Sequence, residues 1–217
     1  MARIDRDLAR ANLLKHTVRA FGMLPPLDSP RILDIGCGSG VATLELARMS
    51  GGTVVGIDID EEALAVFRAR VDDAGLRDRV QAVELSLTEM EFPPEDFDIV
   101  WAEGAIHVIG FARGLEEWKR LLRPGGFLVV HDSQAEMETK FGEIERQGCE
   151  LLGHFTISTQ EWMDEYYGPL LDQIKAIPRD DIDEKTRIEI DKVHNEVKGL
   201  GQNPKQYSSV FFIILKR

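Results

Sequence analysis

The chain has 217 residues, with 26 Lys and Arg against 38 Asp and Glu, for a net charge of −12. Apolar residues make up 43% and charged residues 29%. One full-sized α/β domain with a buried core is therefore expected, and disordered and collagen-like classes are excluded. The acid excess repels a phosphate backbone and argues against nucleic-acid partners.

Residues 1–30 read as a leading helix carrying Leu14, Val18 and Phe21, then the connection MLPPLDSP. A strand is predicted at Arg31–Ile35, a helix at Val41–Met49 and a strand at Thr53–Ile57. Asp60 is a good N-cap for a helix with Leu64, Phe67 and Val71 at spacings of three and four, closed by Gly75. Strands follow at Val80–Glu84 and Phe97–Trp101. The stripe Leu115, Trp118, Leu121 predicts a helix ended by Pro124 and Gly125. Next come a strand at Phe127–Val130, a helix through Met137, Phe141 and Ile144 ended by Gly148, and a strand at Leu151–Ile157. Two extra helices are expected over 160–200. The second places Ile182, Thr186, Ile190, Val193 and Val197 on one face and is followed by Gly199 and Gly201. A strand at Ser209–Leu215 ends the chain. Most strand runs are continuously apolar, which suits strands covered on both faces. Their alternation with helices predicts a doubly wound, mostly parallel Rossmann-like sheet.

Cys37 and Cys149 are the two cysteines, too few for a disulfide framework, and they suggest a reducing compartment. The opening MARIDRDLAR has no apolar stretch of the kind a secretory signal needs. No run approaches the roughly 18 apolar residues of a membrane span. The expectation is a cytoplasmic protein without a membrane partner.

The strongest chemical signal is Leu33–Gly40, LDIGCGSG, between a strand and a helix. Gly36 permits a tight turn, Gly38 lets backbone approach a ligand, and Gly40 starts a closely packed helix. The free N–H groups of that helix face whatever sits there. Asp58, in GIDID, lies 18 residues after Gly40 at the tip of the next strand, where a carboxylate can accept both hydroxyls of a ribose. Together they predict an adenosine-type ligand. The GxGxG spacing differs from the GxGxxG of dinucleotide sites, and Asp34 precedes it. Carboxylates repel a pyrophosphate and attract an ammonium, so a ligand with an amino-acid tail fits better.

These residues resemble the class I S-adenosylmethionine-dependent methyltransferases of small-molecule type. LDIGCGSG is similar to the family's glycine motif, GIDID to its ribose-binding acid, FDIVWAEGAIHVIG to its fourth-strand motif and LLRPGGFLVVHD to its fifth. The resemblance implies a seven-stranded sheet with an antiparallel last strand, SSVFFIILKR, beside the HFTIS run. It implies one methyltransferase domain over 1–217. This would comprise an N-terminal helical cap at 1–30, a cofactor-binding core at 31–157, a helical insertion at 160–200 and the last strand at 207–217. S-adenosylmethionine would lie across the carboxyl ends of the strands. Gly36, Gly38 and Gly40 would approach its amino-acid part and sugar, Asp34 would face the ammonium, and Asp58 would hold the ribose. Ile59, Ser86 and Leu87 would border the adenine, and Ala102 and Glu103 would flank the methionine moiety and the reacting face. The family often has an aspartate where Ser86 stands; a serine hydroxyl can still accept a hydrogen bond.

Methyl transfer from a sulfonium is an in-line displacement that positioning and desolvation can drive. A base is needed only where the acceptor keeps its proton. Glu103, His107 and His131 are the catalytic candidates, with Asp132 a further residue at the end of the fifth strand. Each has the plain alternative of a structural hydrogen bond. His154 reads as a strand residue and Cys37 as a small buried residue. Trp162, Tyr166 and Tyr167 would wall an acceptor pocket or simply fill core. No metal-ligand spacing is present. The expected partner is a small-molecule acceptor, with the protein a monomer or homodimer. Alternative readings are a non-catalytic adenosylmethionine-binding module, an NAD-dependent oxidoreductase of similar topology, and a protein methyltransferase.

Overall fold

The computed structural model describes residues 4–178, 182–202 and 207–217. Seven strands form one sheet: β1 (Arg31–Ile35), β2 (Thr53–Asp58), β3 (Val80–Glu84), β4 (Phe97–Glu103), β5 (Leu122–Ser133), β6 (Cys149–Ile157) and β7 (Ser209–Lys216). Their order across the sheet is β3-β2-β1-β4-β5-β7-β6. Strands β1 to β5 pair in parallel, and β7 runs antiparallel between β5 and β6. This is the doubly wound sheet that the alternation predicted, with its antiparallel last strand beside HFTIS.

Both faces of the sheet are covered, which is why the strand runs are apolar without alternation. Leu33, Ile35, Val100, Leu128 and Phe212 pack on one face with α5 (Phe111–Lys119) and α6 (Met137–Arg146). Ile32, Val54, Ile99, Trp101 and Phe211 pack on the other with α3 (Val41–Ser50) and α4 (Glu61–Asp73). Asp60 caps α4 as predicted, accepting from Ala63 N at 3.1 Å.

The structure departs from the sequence reading in four places. The leading helix is two: α1 (Arg6–Ala11) and α2 (Leu14–Gly22). The buried side of α2 carries His16, Thr17 and Ala20, whereas Val18 is exposed. Strand β5 starts five residues before Phe127, because Pro124 to Gly126 sit within the strand at a register shift against β4. A bulge tolerates a residue that lacks an N–H. The insertion begins with α7 (Thr159–Trp162), passes through a π-helical turn at Met163–Tyr167 and continues as α8 (Gly168–Ala176). Finally, α9 (Glu184–Gln202) starts after Ile182 and runs through both glycines. Gly199 makes room there: a Cβ would lie 1.7 Å from the Tyr207 hydroxyl.

Ala9, Tyr166, Leu170 and Val193 form a separate apolar cluster that joins α1, α8 and α9 into one layer. Charges tie that layer down. Arg6 pairs with Glu189 and Glu196 of α9, and Asp7 pairs with Arg70 of α4 at 3.2 Å. Residues from both ends of the chain thus cover the carboxyl ends of the central strands. None of the described helices is long and apolar enough to cross a membrane.

Candidate active site

A cavity of about 1030 Å³ lies between this layer and the strand ends. The glycine loop forms one wall. Gly36, Gly38 and Gly40 all have positive φ, at 75°, 52° and 79°. Their further reasons for being glycine differ. At Gly36 a Cβ would meet Ala105 Cβ at 2.7 Å, and at Gly40 it would meet the Phe67 ring at 2.0 Å. Gly40 therefore lets α4 pack against the start of α3, while Gly36 and Gly38 present backbone to the cavity.

Three carboxyl groups converge on this loop. Asp58, at the tip of β2, accepts from Gly38 N at 2.7 Å and from Asp60 N at 3.0 Å. Asp34 is buried and accepts from Thr43 Oγ1 at 2.5 Å. Burial pushes Asp34 up to about 7; the Thr43 hydroxyl opposes this, and the charges of Glu103 and Asp58 add to it. Glu103, at the end of β4, accepts from Thr17 Oγ1 and from Trp101 Nε1, both at 2.8 Å. Burial raises its carboxyl too, and those two donors oppose the shift. Burial also pushes the Cys37 thiol up, the state of an inert residue and not of a nucleophile.

The opposite end of the cavity is aromatic. His131, at the end of β5, stacks on Phe211 at 4.5 Å and on Trp162 at 5.9 Å. Its Nε2 lies 2.7 Å from Ser209 Oγ, which also accepts from Trp162 Nε1 at 2.8 Å. Burial pushes the His131 imidazole down to about 4, with Asp132 opposing and His16 adding to the shift. Tyr166 and Tyr167 continue the wall, with ring centroids 4.9 Å apart and nearly perpendicular. His16, from α2, also lines the cavity.

Of the residues singled out in the sequence, Asp34, Gly36, Gly38, Asp58, Glu103, His107 and His131 line this one cavity, as do Trp162, Tyr166 and Tyr167. His107 stands at its exposed rim. Gly40, Ile59, Ser86, Leu87 and Ala102 are not in the lining. Gly40 and Ala102 are buried, Ile59 is largely exposed, and Ser86 Oγ bonds Thr88 Oγ1 at 2.8 Å. Asp132 is held at 2.6 Å by Lys140, which also donates to Ser133 O. His154 lies in β6 against Phe141. The sequence reading missed Arg6, His16, Thr17 and Ser209. The adjacent polar pair His16-Thr17 in an otherwise apolar helix face was the one available signal.

Residues 32–126 match the family described as Methyltransferase domain. The chain is 28% identical over 193 residues to 27-O-demethylrifamycin SV methyltransferase of Amycolatopsis mediterranei, covering 88% of this chain and 71% of that protein. Of several other curated relatives it spans under half the length, as low as 27%. A methyltransferase from Geobacter sulfurreducens, solved with S-adenosylhomocysteine, superposes with a TM-score of 0.72 at 19% identity over 100% of both chains. The cyclase SpnF superposes with a TM-score of 0.78 at 19% identity, over 93% of this chain and 80% of its own. The fold, the ordered motifs and these matches converge on one likeness: residues 32–126 match a methyltransferase domain, and over 88% of its length the chain is similar to a curated methyltransferase.

Proposed function

We propose that this protein is an S-adenosylmethionine-dependent methyltransferase acting on a small-molecule acceptor in the cytoplasm, with the whole chain working as one domain. The convergence of Asp34, Asp58 and Glu103 on the glycine loop carries the reading. Acids acting on one another around a cavity suit a ligand with a sulfonium and an ammonium. A pyrophosphate would meet these same acids, which disfavours a nicotinamide dinucleotide.

In this reading, Asp58 holds the ribose and the backbone of Gly36 and Gly38 lies along the ligand. Asp34 answers the ammonium, and Gly40 shapes the loop from behind. Ile59, Ser86 and Leu87 border the adenine beyond the end of β2. Glu103 faces the reacting end of the cavity, where Thr17 and Trp101 keep its carboxyl oriented, and buried Ala102 backs it in β4. His107 contacts the acceptor from the rim. S-adenosylmethionine held there would supply an activated methyl group on sulfur for in-line transfer to the acceptor. The covering layer excludes water, which strengthens every polar contact inside. A layer built from α1, α2, α7, α8 and α9 favours a small acceptor over a peptide.

Calorimetric titration with adenosylmethionine, adenosylhomocysteine and NAD tests the cofactor assignment. Micromolar binding of the first two and none of NAD is expected. Binding of NAD alone would overturn the reading. Since a cyclase shares this fold, transfer of a labelled methyl group to an acceptor panel must accompany binding. Tight binding with no transfer to any panel member would favour a non-catalytic module.

A further inference from the structure

Ser209 Oγ is shared between two ring nitrogens, Trp162 Nε1 at 2.8 Å and His131 Nε2 at 2.7 Å. An indole nitrogen can only donate. Trp162 therefore occupies one lone pair of the hydroxyl and leaves its single hydrogen for another partner. The hydroxyl keeps a second lone pair, but its hydrogen finds an acceptor only if His131 Nε2 carries its lone pair, and that pairing satisfies both groups. In a neutral imidazole this puts the proton on Nδ1. Stacking between Phe211 and Trp162 fixes the ring plane. His131 Nδ1 has no hydrogen-bond partner among the described residues, and His131 lines the cavity.

We propose that Ser209 and Trp162 lock His131 as the Nδ1–H tautomer, making it a hydrogen-bond donor to the acceptor and not a base, and that the acceptor presents an uncharged hydroxyl there. Ser209 and Trp162 are positioning residues. His16 supplies the independent second observation: it is 6% exposed, it lines the same cavity, and its Nε2 has no hydrogen-bond partner. A hydroxyl both donates and accepts, so it can meet the His131 N–H and, in either tautomer, the unpartnered His16 nitrogen. Among the described residues of this wall no cation is left unmatched for an anionic acceptor. Arg6 is already matched by Glu189 and Glu196. Burial holds both imidazoles below their usual range; at His16, Glu161 and Glu165 oppose this while Lys15 and Arg19 add to it. The rings of Trp162, Tyr166, Tyr167 and Phe211 make an aromatic or flat apolar frame the natural carrier.

The tautomer part stands without a ligand, while the hydroxyl part rests on the methyltransferase reading. Two-bond proton–nitrogen correlation spectra of the histidine-labelled protein at neutral pH report the tautomer directly, with His131 assigned from the His131→Gln spectrum. We expect the Nδ1–H pattern in the wild type, its loss in Ser209→Ala, and its return in Ser209→Thr. An Nε2–H pattern in the wild type, or no change in Ser209→Ala, would overturn the lock.

Phenol and toluene are then titrated into protein saturated with adenosylhomocysteine. The ratio of their affinities should fall about tenfold from wild type to Ser209→Ala. A ratio unmoved by Ser209→Ala, or no phenol binding, would overturn the hydroxyl assignment. Failure of adenosylhomocysteine itself to bind would strike the methyltransferase reading and leave the tautomer result standing.

Discussion

Asp58 Oδ2 accepts the backbone N–H of Gly38 at 2.7 Å, so the tip of β2 is tied directly to the glycine loop. The carboxylate that is expected to hold a ribose also sets the shape of the loop beside it. Asp58→Ala should therefore remove two effects. The lost charge-assisted bonds correspond to about 1.5–3 kcal/mol, roughly a 10- to 150-fold weaker adenosylhomocysteine affinity. Calorimetry on the folded variant checks this. An affinity within twofold of wild type would put Asp58 outside the site.

Asp34 should make cofactor binding depend on pH. Its folded-state carboxyl sits near 7, above the 3.8 of an ordinary aspartate, because burial penalises the charge. The sign follows from that direction. The group's contribution to folding is fully present below 3.8 and is lost as pH rises through 7, up to about 4 kcal/mol in total. Asp34→Asn should thus gain stability relative to wild type between pH 5 and pH 8. A bound cation favours the ionised form, so wild-type affinity for adenosylmethionine should rise with pH up to about 7 and then level. Calorimetry in two buffers of different ionisation heat should detect proton release near neutrality in the wild type and none in Asp34→Asn. Equal heats for the wild type would sink the assignment.

Gly40 predicts a stability effect with little chemistry in it. A Cβ there would lie 2.0 Å from the Phe67 ring, at a φ of 79°. Gly40→Ala should cost about 2–4 kcal/mol from overpacking plus left-handed strain. Gly75→Ala is the matched control, with φ at 66° and nothing within 4 Å of the added atom. It should lose only about 1 kcal/mol. Chemical denaturation of the two variants measures the difference. Similar losses would show that Phe67 does not set the requirement.

The legible part of this protein was the part whose signals are local. Gly36 and Gly38 lie on one turn and Asp58 ends the next strand, so spacing alone brought these three to one cavity, with Gly40 behind the loop. The continuous runs identified the parallel sheet because each such strand is buried on two faces. The polar side of α2 was not legible. A stripe through Leu14, Val18 and Phe21 satisfies helical spacing equally well, and only packing against α3 and the Thr17–Glu103 bond turn the other side inward. Ser209 was hidden for a similar reason. It begins the last strand, and its partners Trp162 and His131 come from an inserted helix and a different strand. No periodicity connects residues 131, 162 and 209.

Arg6 gives the covering layer a testable hinge. Its guanidinium bonds Glu189 and Glu196 on α9 and the Tyr166 hydroxyl at 3.0 Å, joining the N-terminal helix to both parts of the insertion. The apolar cluster beneath is small: Ala9, Tyr166, Leu170 and Val193 are its buried members. The sheet is stabilised by two much larger cores that do not include these residues. Removing Arg6 should therefore loosen the layer and spare the sheet. The pairs are partly exposed, so Arg6→Ala should lower the local opening energy by about 1–2 kcal/mol, speeding amide exchange roughly 5- to 30-fold. Exchange measured by mass spectrometry should show this in peptides covering 6–22 and 184–200. Peptides from β1, β4 and β5 should keep their protection, because their amides open only with the whole sheet. Uniform acceleration across all peptides would mean that the layer and the sheet unfold together, and that Arg6 stabilises the fold instead of closing the cavity.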